Sequence, residues 1–325
     1  MATTINLQRD IFVNAIFEAA SKNKDIYFIT ADFGAQALDR FRAELGEQFI
    51  HAGICEQNMV DLAAGLALSG KISYIYAMVP FVTFRCFEQI KIGLATMNLP
   101  VTVLGVGSGY SYDDAGPTHY ATEDIGCMRA LGNIEILSPS DSVSTYACAK
   151  ISYENPKFRY IRLDRKPLPS IYKEGESRFL EEGICEIERG DEICVITNGY
   201  MMQKVMEAKA RLAQEGIHIG VADIFKIKPV NAASLKKIAN TYKMLVTVEE
   251  HFLSGGIGSA IAETCVDFNL NVPLKRIGIE DAYHMDNGGR EYLHKLCGID
   301  VDSLVERIKK CHSELMLKNK EPIPS

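Results

Sequence analysis

Residues 72–106, ISYIYAMVPFVTFRCFEQIKIGLATMNLPVTVLGV, decide the fold class. The stretch opens on a β-branched and aromatic segment, 72–77, and closes on an apolar one, 101–106; residues 81–97 between them predict a helix. Both flanking segments are largely apolar along their length, the pattern of strands covered on both faces. Strand, helix and strand in that order predict a parallel pair joined by a right-handed crossover.

The alternation extends outward in both directions. Strands are predicted at 25–30, 49–52, 134–138 and 158–163, with helices at 8–22, 56–69 and 141–153. Residues 165–181 (RKPLPSIYKEGESRFLE) hold prolines, a glycine, serines and mixed charge, and read as a linker. A second unit follows, with strands at 192–197, 217–223, 244–249 and 274–278 and helices at 200–215, 232–242, 255–269, 290–297 and 301–311. The expectation is an α/β protein of two doubly wound, mostly parallel-sheet domains, 1–165 and 182–325, with 166–181 between them. The polar, proline-containing tail 318–325 predicts a frayed end.

Composition narrows the function classes. With 325 residues, 47% of them apolar and 24% charged, the chain can build a normal core, and global disorder is excluded. A net charge of −7 offers no basic field, so neither nucleic acid nor a membrane surface is an expected partner. No run approaches the roughly 18 uninterrupted apolar residues of a membrane span. The nine cysteines are scattered, with no CxxC pair, and residues 1–12 show no signal-peptide pattern; both point to reduced thiols in a cytoplasmic protein.

Three constellations can carry chemistry. Residues 53–59, GICEQNM, place Glu56 at the start of a helix. Such a carboxylate either complements the helix dipole or, in an apolar surround, holds a proton for catalysis. Phe81, Phe84 and Phe87 recur every three residues after a predicted strand end. They are either an aromatic stripe against a core or a platform for a flat heterocycle at a sheet's carboxyl edge, where ligands bind. Residues 113–120, DDAGPTHY, follow a glycine-rich loop and present His119 from a Gly-Pro turn. It is an ordinary surface histidine or a functional one, since histidine changes charge near neutral pH.

Taken in order, Asp32, GICEQNM, FVTFRCF, GPTH, the Ser138-Pro139-Ser140-Asp141 segment and Arg162-Leu163-Asp164-Arg165 resemble the C-terminal half of a transketolase. The resemblance spans about residues 5–315. It extends to the matching half of 1-deoxyxylulose-5-phosphate synthase and, more distantly, to the β subunit of the decarboxylating component of 2-oxo-acid dehydrogenases. It implies a thiamine-diphosphate enzyme. In that family the residue matching Glu56 hydrogen-bonds the N1′ atom of the cofactor's aminopyrimidine. Phe81, Phe84 and Phe87 match the aromatic pocket around it, with Phe84 as the expected stacking ring. Asp32 and Phe33 match positions near the cofactor. His119 matches a substrate-facing histidine, Arg165 an arginine that binds a substrate phosphate, and Asp114 a neighbour that stands in for an acid this chain lacks.

The departures from the family are as informative. Ala115 stands where transketolases carry an aspartate that contacts a donor hydroxyl, Gln36 where a phosphate-binding serine aligns, and Gly107 where a phosphate-contacting histidine aligns. The Gly-Asp-Gly motif that holds the cofactor's Mg²⁺ or Ca²⁺ is absent, and Gly190-Asp191-Glu192 differs at its third residue. No metal ligand is therefore expected on this chain. The resemblance implies a split enzyme: an N-terminal transketolase subunit supplies the diphosphate and metal site, the assembly is an α2β2 heterotetramer, and a two-carbon ketol unit passes from a ketose to an aldose, either phosphorylated or otherwise modified. A pyruvate-using synthase, an oxo-acid-decarboxylating subunit and a non-catalytic partner subunit are the alternatives. Val248-Glu249-Glu250-His251 and Gly255-Gly256-Ile257-Gly258 resemble the family's C-terminal domain. The glycine pair is expected to be a tight turn into a helix rather than a nucleotide cradle, with His251 and His284 structural.

Overall fold

The computed structural model describes residues 7–31 and 34–318. In chain order its strands are β1 (Ile26–Thr30), β2 (Phe49–His51), β3 (Ile72–Met78), β4 (Val101–Val106), β5 (Glu135–Leu137), β6 (Arg159–Leu163), β7 (Ile184–Glu188), β8 (Ile193–Thr197), β9 (Gly220–Ile224), β10 (Lys226–Lys228), β11 (Met244–Phe252) and β12 (Leu274–Ile279). They form a seven-stranded sheet, β10-β5-β6-β4-β3-β1-β2, and a five-stranded sheet, β12-β11-β8-β9-β7. Neighbours are parallel except β10 on β5 and β7 on β9. The α/β class with two mostly parallel sheets is borne out. The tail 319–325 lies outside the described residues.

The uniformly apolar strands follow from two-sided cover. On the first sheet Phe28, Tyr74, Tyr76 and Leu104 face helices Gln8–Ala20 and Ser142–Glu154, while Ile29, Ile75 and Val103 face Glu56–Leu68 and the turn at Ile90–Ala95. Successive residues point to opposite faces, so a strand buried on both must be apolar throughout.

Three features differ from the sequence reading. The helix expected at 81–97 is broken into Val79–Val82, a turn, Phe87–Gln89 and a π-helical turn at Ile90–Ala95. The Cys86 thiol donates to Phe81 O at 3.1 Å, the carbonyl Arg85 N–H would use in a continuous helix, and Arg85 N–H bonds Pro80 O at 3.3 Å instead; the Thr83 hydroxyl shares Val79 O with its own backbone N–H. Second, β10 leaves its own half of the chain and extends the first sheet at β5, burying Ile227 between two lysines. Third, residues 166–181 are tied down. The Asp141 carboxylate caps helix Ser142–Glu154 and also accepts from Ile171 N and Tyr172 N at 3.0 and 2.9 Å. The Tyr172 hydroxyl then donates to Asp223 on β9.

The two halves also meet through buried charge. Arg290 opens the helix Arg290–Cys297; its guanidinium bonds both carboxylate oxygens of Asp164, at the end of β6, and both of Glu250, on β11. This joint lies one residue from Arg165.

Candidate active site

The carboxyl ends of β1, β3, β4 and β6, with the loop after β2, converge at one edge of the first sheet, where a parallel sheet presents loops and ligand sites. A cavity of about 220 Å³ opens there, lined by Ala31, Ile54, Glu56, Ala77, Met78, Phe81 and Arg85. A larger groove of about 1000 Å³ runs elsewhere, between helix Ser142–Glu154 and residues 170–180, and holds none of the candidate residues.

Glu56 is the first residue of helix Glu56–Leu68, only 5% exposed, and among the described residues Arg85 is the one other charged residue in the cavity lining. The preceding Gly53 adopts φ +73°, a left-handed conformation glycine takes without strain, and so turns the chain from β2 into this helix. The Arg85 Nη1 donates to Glu56 Oε2 at 2.8 Å, and the same guanidinium carbon lies 4.3 Å above the Phe81 ring. Among the described residues no group donates to Oε1. Sequence reasoning misses Arg85 because it looks only like a polar interruption of the phenylalanine series.

Of the three phenylalanines, Phe81 lines the cavity, while Phe84 is half-buried outside its lining and Phe87 packs against the core. Phe81 continues to His119, with ring centres 5.2 Å apart in an edge-to-face arrangement. The His119 Nδ1 pairs with the Thr118 hydroxyl at 2.9 Å. Tyr112 lies beyond His119, at 6.1 Å between ring centres. The exposed Arg165 stacks over Tyr112 at 4.6 Å and reaches Asp114 at 3.4 Å. One continuous strip therefore runs from Glu56 through Phe81 and His119 to Arg165 and Asp114. Asp32 and Phe33 lie outside the described residues.

Gly107 has a steric reason to be glycine. Its φ is +98°, and a Cβ there would fall 2.2 Å from a Tyr112 ring carbon. No histidine fits beside that ring. Gln36 and Ala115 are both exposed. Among the described residues no group of three or more His, Cys, Asp or Glu side chains is arranged to hold a metal ion.

In the second half, Glu249 fills the start of helix Ile257–Asp267. Its carboxylate accepts from Ile257 N at 2.7 Å and Gly258 N at 3.1 Å, and a Cβ on Gly256 would fall 2.0 Å from Oε2. A helix N-terminus already holding a carboxylate has no place for a phosphate. Burial lowers the His251 pKa to about 4; the neutral ring bonds Phe252 O and Gly126 N.

The transketolase pyrimidine binding domain family matches residues 8–170, and the transketolase C-terminal domain family matches 183–304. The chain belongs to the transketolase family. The resemblance drawn from its motifs is thereby confirmed, and with it membership of a family of transferases that depend on thiamine diphosphate. This transketolase chain is 34% identical over 303 residues to an apulose-4-phosphate transketolase subunit of Actinobacillus succinogenes, covering 91% of this chain and 96% of that protein. It is 30% identical over 300 residues to a 6-deoxy-6-sulfo-D-fructose transketolase subunit of Clostridium sp. (strain MSTE9), covering 92% of each. Among solved structures, a split gene transketolase described as an inactive beta4 tetramer superposes with a TM-score of 0.82 at 29% identity, covering 94% of this chain and 97% of that one.

Proposed function

We propose that this chain is the C-terminal subunit of a two-chain transketolase that moves a two-carbon ketol unit from a ketose to an aldose. The observation that carries the reading is the buried Glu56 carboxyl on the wall of a cavity that, among the described residues, is otherwise apolar or aromatic except for Arg85, its ion-pair partner. Those residues fit the aminopyrimidine end of thiamine diphosphate: Phe81 and the aliphatic wall would hold the flat ring, and Glu56 would serve a ring nitrogen. When bound, the cofactor supplies a carbon nucleophile and an electron sink.

The chain's own residues do the rest. Glu56 shares a proton with the ring nitrogen, from a site where water does not compete. Phe81 gives the ring apolar cover from inside the cavity, with Phe84 beside it outside the lining. His119, with Nδ1 engaged by Thr118, leaves Nε2 for a substrate oxygen. Arg165 and Asp114 read the far end of the sugar, Arg165 through an anionic group. With Tyr112 over Gly107 where the family's histidine aligns, and Ala115 in place of an aspartate, that end suits a modified or branched sugar better than an ordinary sugar phosphate.

A second chain supplies the diphosphate and the divalent metal. The relatives named as single subunits of transketolases support this, as does the apolar surface beside the cavity. Ile54 just before the Glu56 helix, Leu62 on that helix and Ile92 on the turn packed against it are all exposed, where a companion subunit would cover them. An α2β2 assembly follows if each site is built from one chain of each kind.

The test is reconstitution with a separately expressed N-terminal transketolase subunit carrying the Gly-Asp-Gly motif. Calorimetry should show thiamine diphosphate binding to the pair, and Glu56→Gln should bind it yet lose about 10²-fold or more in turnover. Full turnover in that variant refutes the assignment.

A further inference from the structure

The guanidinium of Arg85 makes two contacts at once. Nη1 holds Oε2 of Glu56 at 2.8 Å, and the planar group stacks 4.3 Å over Phe81. Its side chain is 41% exposed, whereas that of Glu56 is 6% exposed. Arg85 is thus the half-open side of the pair and Glu56 the buried side. No other described cation contacts this carboxylate. Cys86, next in the chain, is buried, and burial pushes its thiol up to about 12, so it supplies no competing charge.

A lone glutamate in this cavity has free χ3, and its two oxygens can exchange places. Clamping one oxygen removes that freedom. The guanidinium is flat and cannot lose its charge, so it can hold Oε2 through one N–H while its face lies on an aromatic ring, as an ammonium does not. Stacking on Phe81 fixes the guanidinium in turn. The broken helix is what allows this. The turn at Thr83–Cys86 carries Arg85 to the cavity, and its backbone N–H bonds Pro80 O at 3.3 Å rather than a carbonyl one helical turn back.

Resting on the proposed function above, we propose that Arg85 is a positioning residue: by holding Oε2 it presents Oε1 of Glu56 to the ring nitrogen of the cofactor. Arg85 itself touches neither substrate nor the reacting atoms. The predicted pattern is a dependence of cofactor binding on Arg85 that exists only while Glu56 is a carboxylate.

The test uses the reconstituted pair and reads cofactor binding by calorimetry alongside turnover. Arg85→Met should weaken thiamine diphosphate binding about ten- to a hundredfold, the range for one hydrogen bond to a charged group. Arg85→Lys should recover only part, because it keeps the charge and loses the planar face that stacks on Phe81. In the Glu56→Gln background, Arg85→Met should change binding little further, since the group it positions is gone. Thermal melts of each variant separate this from misfolding; the half-exposed side chain should leave the melting temperature nearly unchanged.

Tighter binding in Arg85→Met would overturn the proposal by showing that the guanidinium competes with the cofactor for Glu56. Equal losses from Arg85→Met in the presence and absence of the Glu56 carboxylate would also overturn it, by showing that Arg85 acts elsewhere. Failure of the proposed function is distinguishable: there, wild type and Glu56→Gln behave alike before Arg85 is touched.

Discussion

Replacing Arg290 by methionine should be among the most damaging single changes in this chain. The side chain is 3% exposed and donates at 2.8 and 2.6 Å to Glu250 and at 3.1 and 2.7 Å to Asp164. Its guanidinium also lies 3.5 Å over Tyr200. Burial would by itself raise the Glu250 pKa, but Arg290 and His294 outweigh it and hold that carboxyl well below the usual range. Methionine fills much of the volume and removes all four hydrogen bonds. Of the two buried carboxylates, Glu250 then keeps His294, and Asp164 keeps the Ser108 hydroxyl and the Lys166 backbone N–H; neither keeps a guanidinium. Breaking a buried ion pair by removing one partner costs about 3–5 kcal/mol, and here two pairs share one cation, so the upper end applies. At about 2–4 °C per kcal/mol for a chain of this size class, melting should fall by roughly 10 °C or more. The assay is urea unfolding followed by far-ultraviolet circular dichroism at pH 7.5. The triple variant Asp164→Asn, Glu250→Gln, Arg290→Met should recover at least half of the loss, because the stranded charges are removed with their partner. A loss below about 1 kcal/mol in Arg290→Met, or no recovery in the triple variant, refutes the view that uncompensated charge dominates here.

Phe81→Ala and Phe84→Ala separate the two rings: the one that stacks on the cofactor should weaken its binding about tenfold, and equal, negligible effects in calorimetry would remove both from the cofactor pocket. His119→Ala should lower turnover by about 10²-fold while leaving cofactor affinity within about twofold; the reverse pattern in paired kinetics and calorimetry would argue against a substrate-facing imidazole. Asp223 is fully buried, and burial raises its carboxyl to about 7 against the hydrogen bonds from Ser140 and Tyr172. The folded state therefore keeps a proton that the unfolded chain releases. This contribution is fully present below about pH 4 and is lost as pH rises through about 7. Relative to wild type, Asp223→Asn should gain about 2 kcal/mol between pH 5.5 and 8, seen as converging or crossing melting curves; parallel curves would show that the carboxyl does not titrate in that window.

Much of the architecture was legible because burial on both faces leaves an unmistakable apolar run, as at Val101–Val106 and Ile72–Met78. The strand Lys226–Lys228 was not legible: three residues carry no period, and what makes them a strand is the free edge of β5 waiting on another part of the chain. The broken helix at 79–95 escaped for a related reason. Its spacing of phenylalanines fits a helix well enough, and at the break the Cys86 thiol takes Phe81 O while Arg85 N–H turns to Pro80 O, a choice made by local competition rather than by pattern. At the site, Glu56, Phe81, His119, Arg165 and Asp114 were named from motifs and lie on one strip. Arg85 was missed, although a lone arginine among half-buried aromatics is itself a signal, since such a charge beside an apolar wall finds a partner. Arg290 was missed because a charged residue opening a helix normally faces water.

The position of Arg290 gives the second half of the chain a part in the first half's chemistry. Its backbone N–H donates to Asp113 at 3.0 Å, and its side chain fixes Asp164. Asp113 begins the segment that carries Asp114 and His119, and Asp164 adjoins Arg165. Both segments that form the far end of the proposed substrate strip, the one carrying Asp114 and the one carrying Arg165, are therefore braced from one residue on a helix of the other sheet's layer. A C-terminal domain that served only to hold subunits together would not need a buried, fully paired cation at this point. The arrangement instead predicts that loosening the joint costs substrate recognition before it costs cofactor binding, because Glu56, Phe81 and Arg85 make no contact with it. In a mild variant such as Asp113→Asn, which weakens one bond and leaves the ion pairs intact, KM for the sugar should rise severalfold while cofactor affinity holds. A parallel loss of both would show that the substrate end and the Glu56 end of the strip move as one rigid unit.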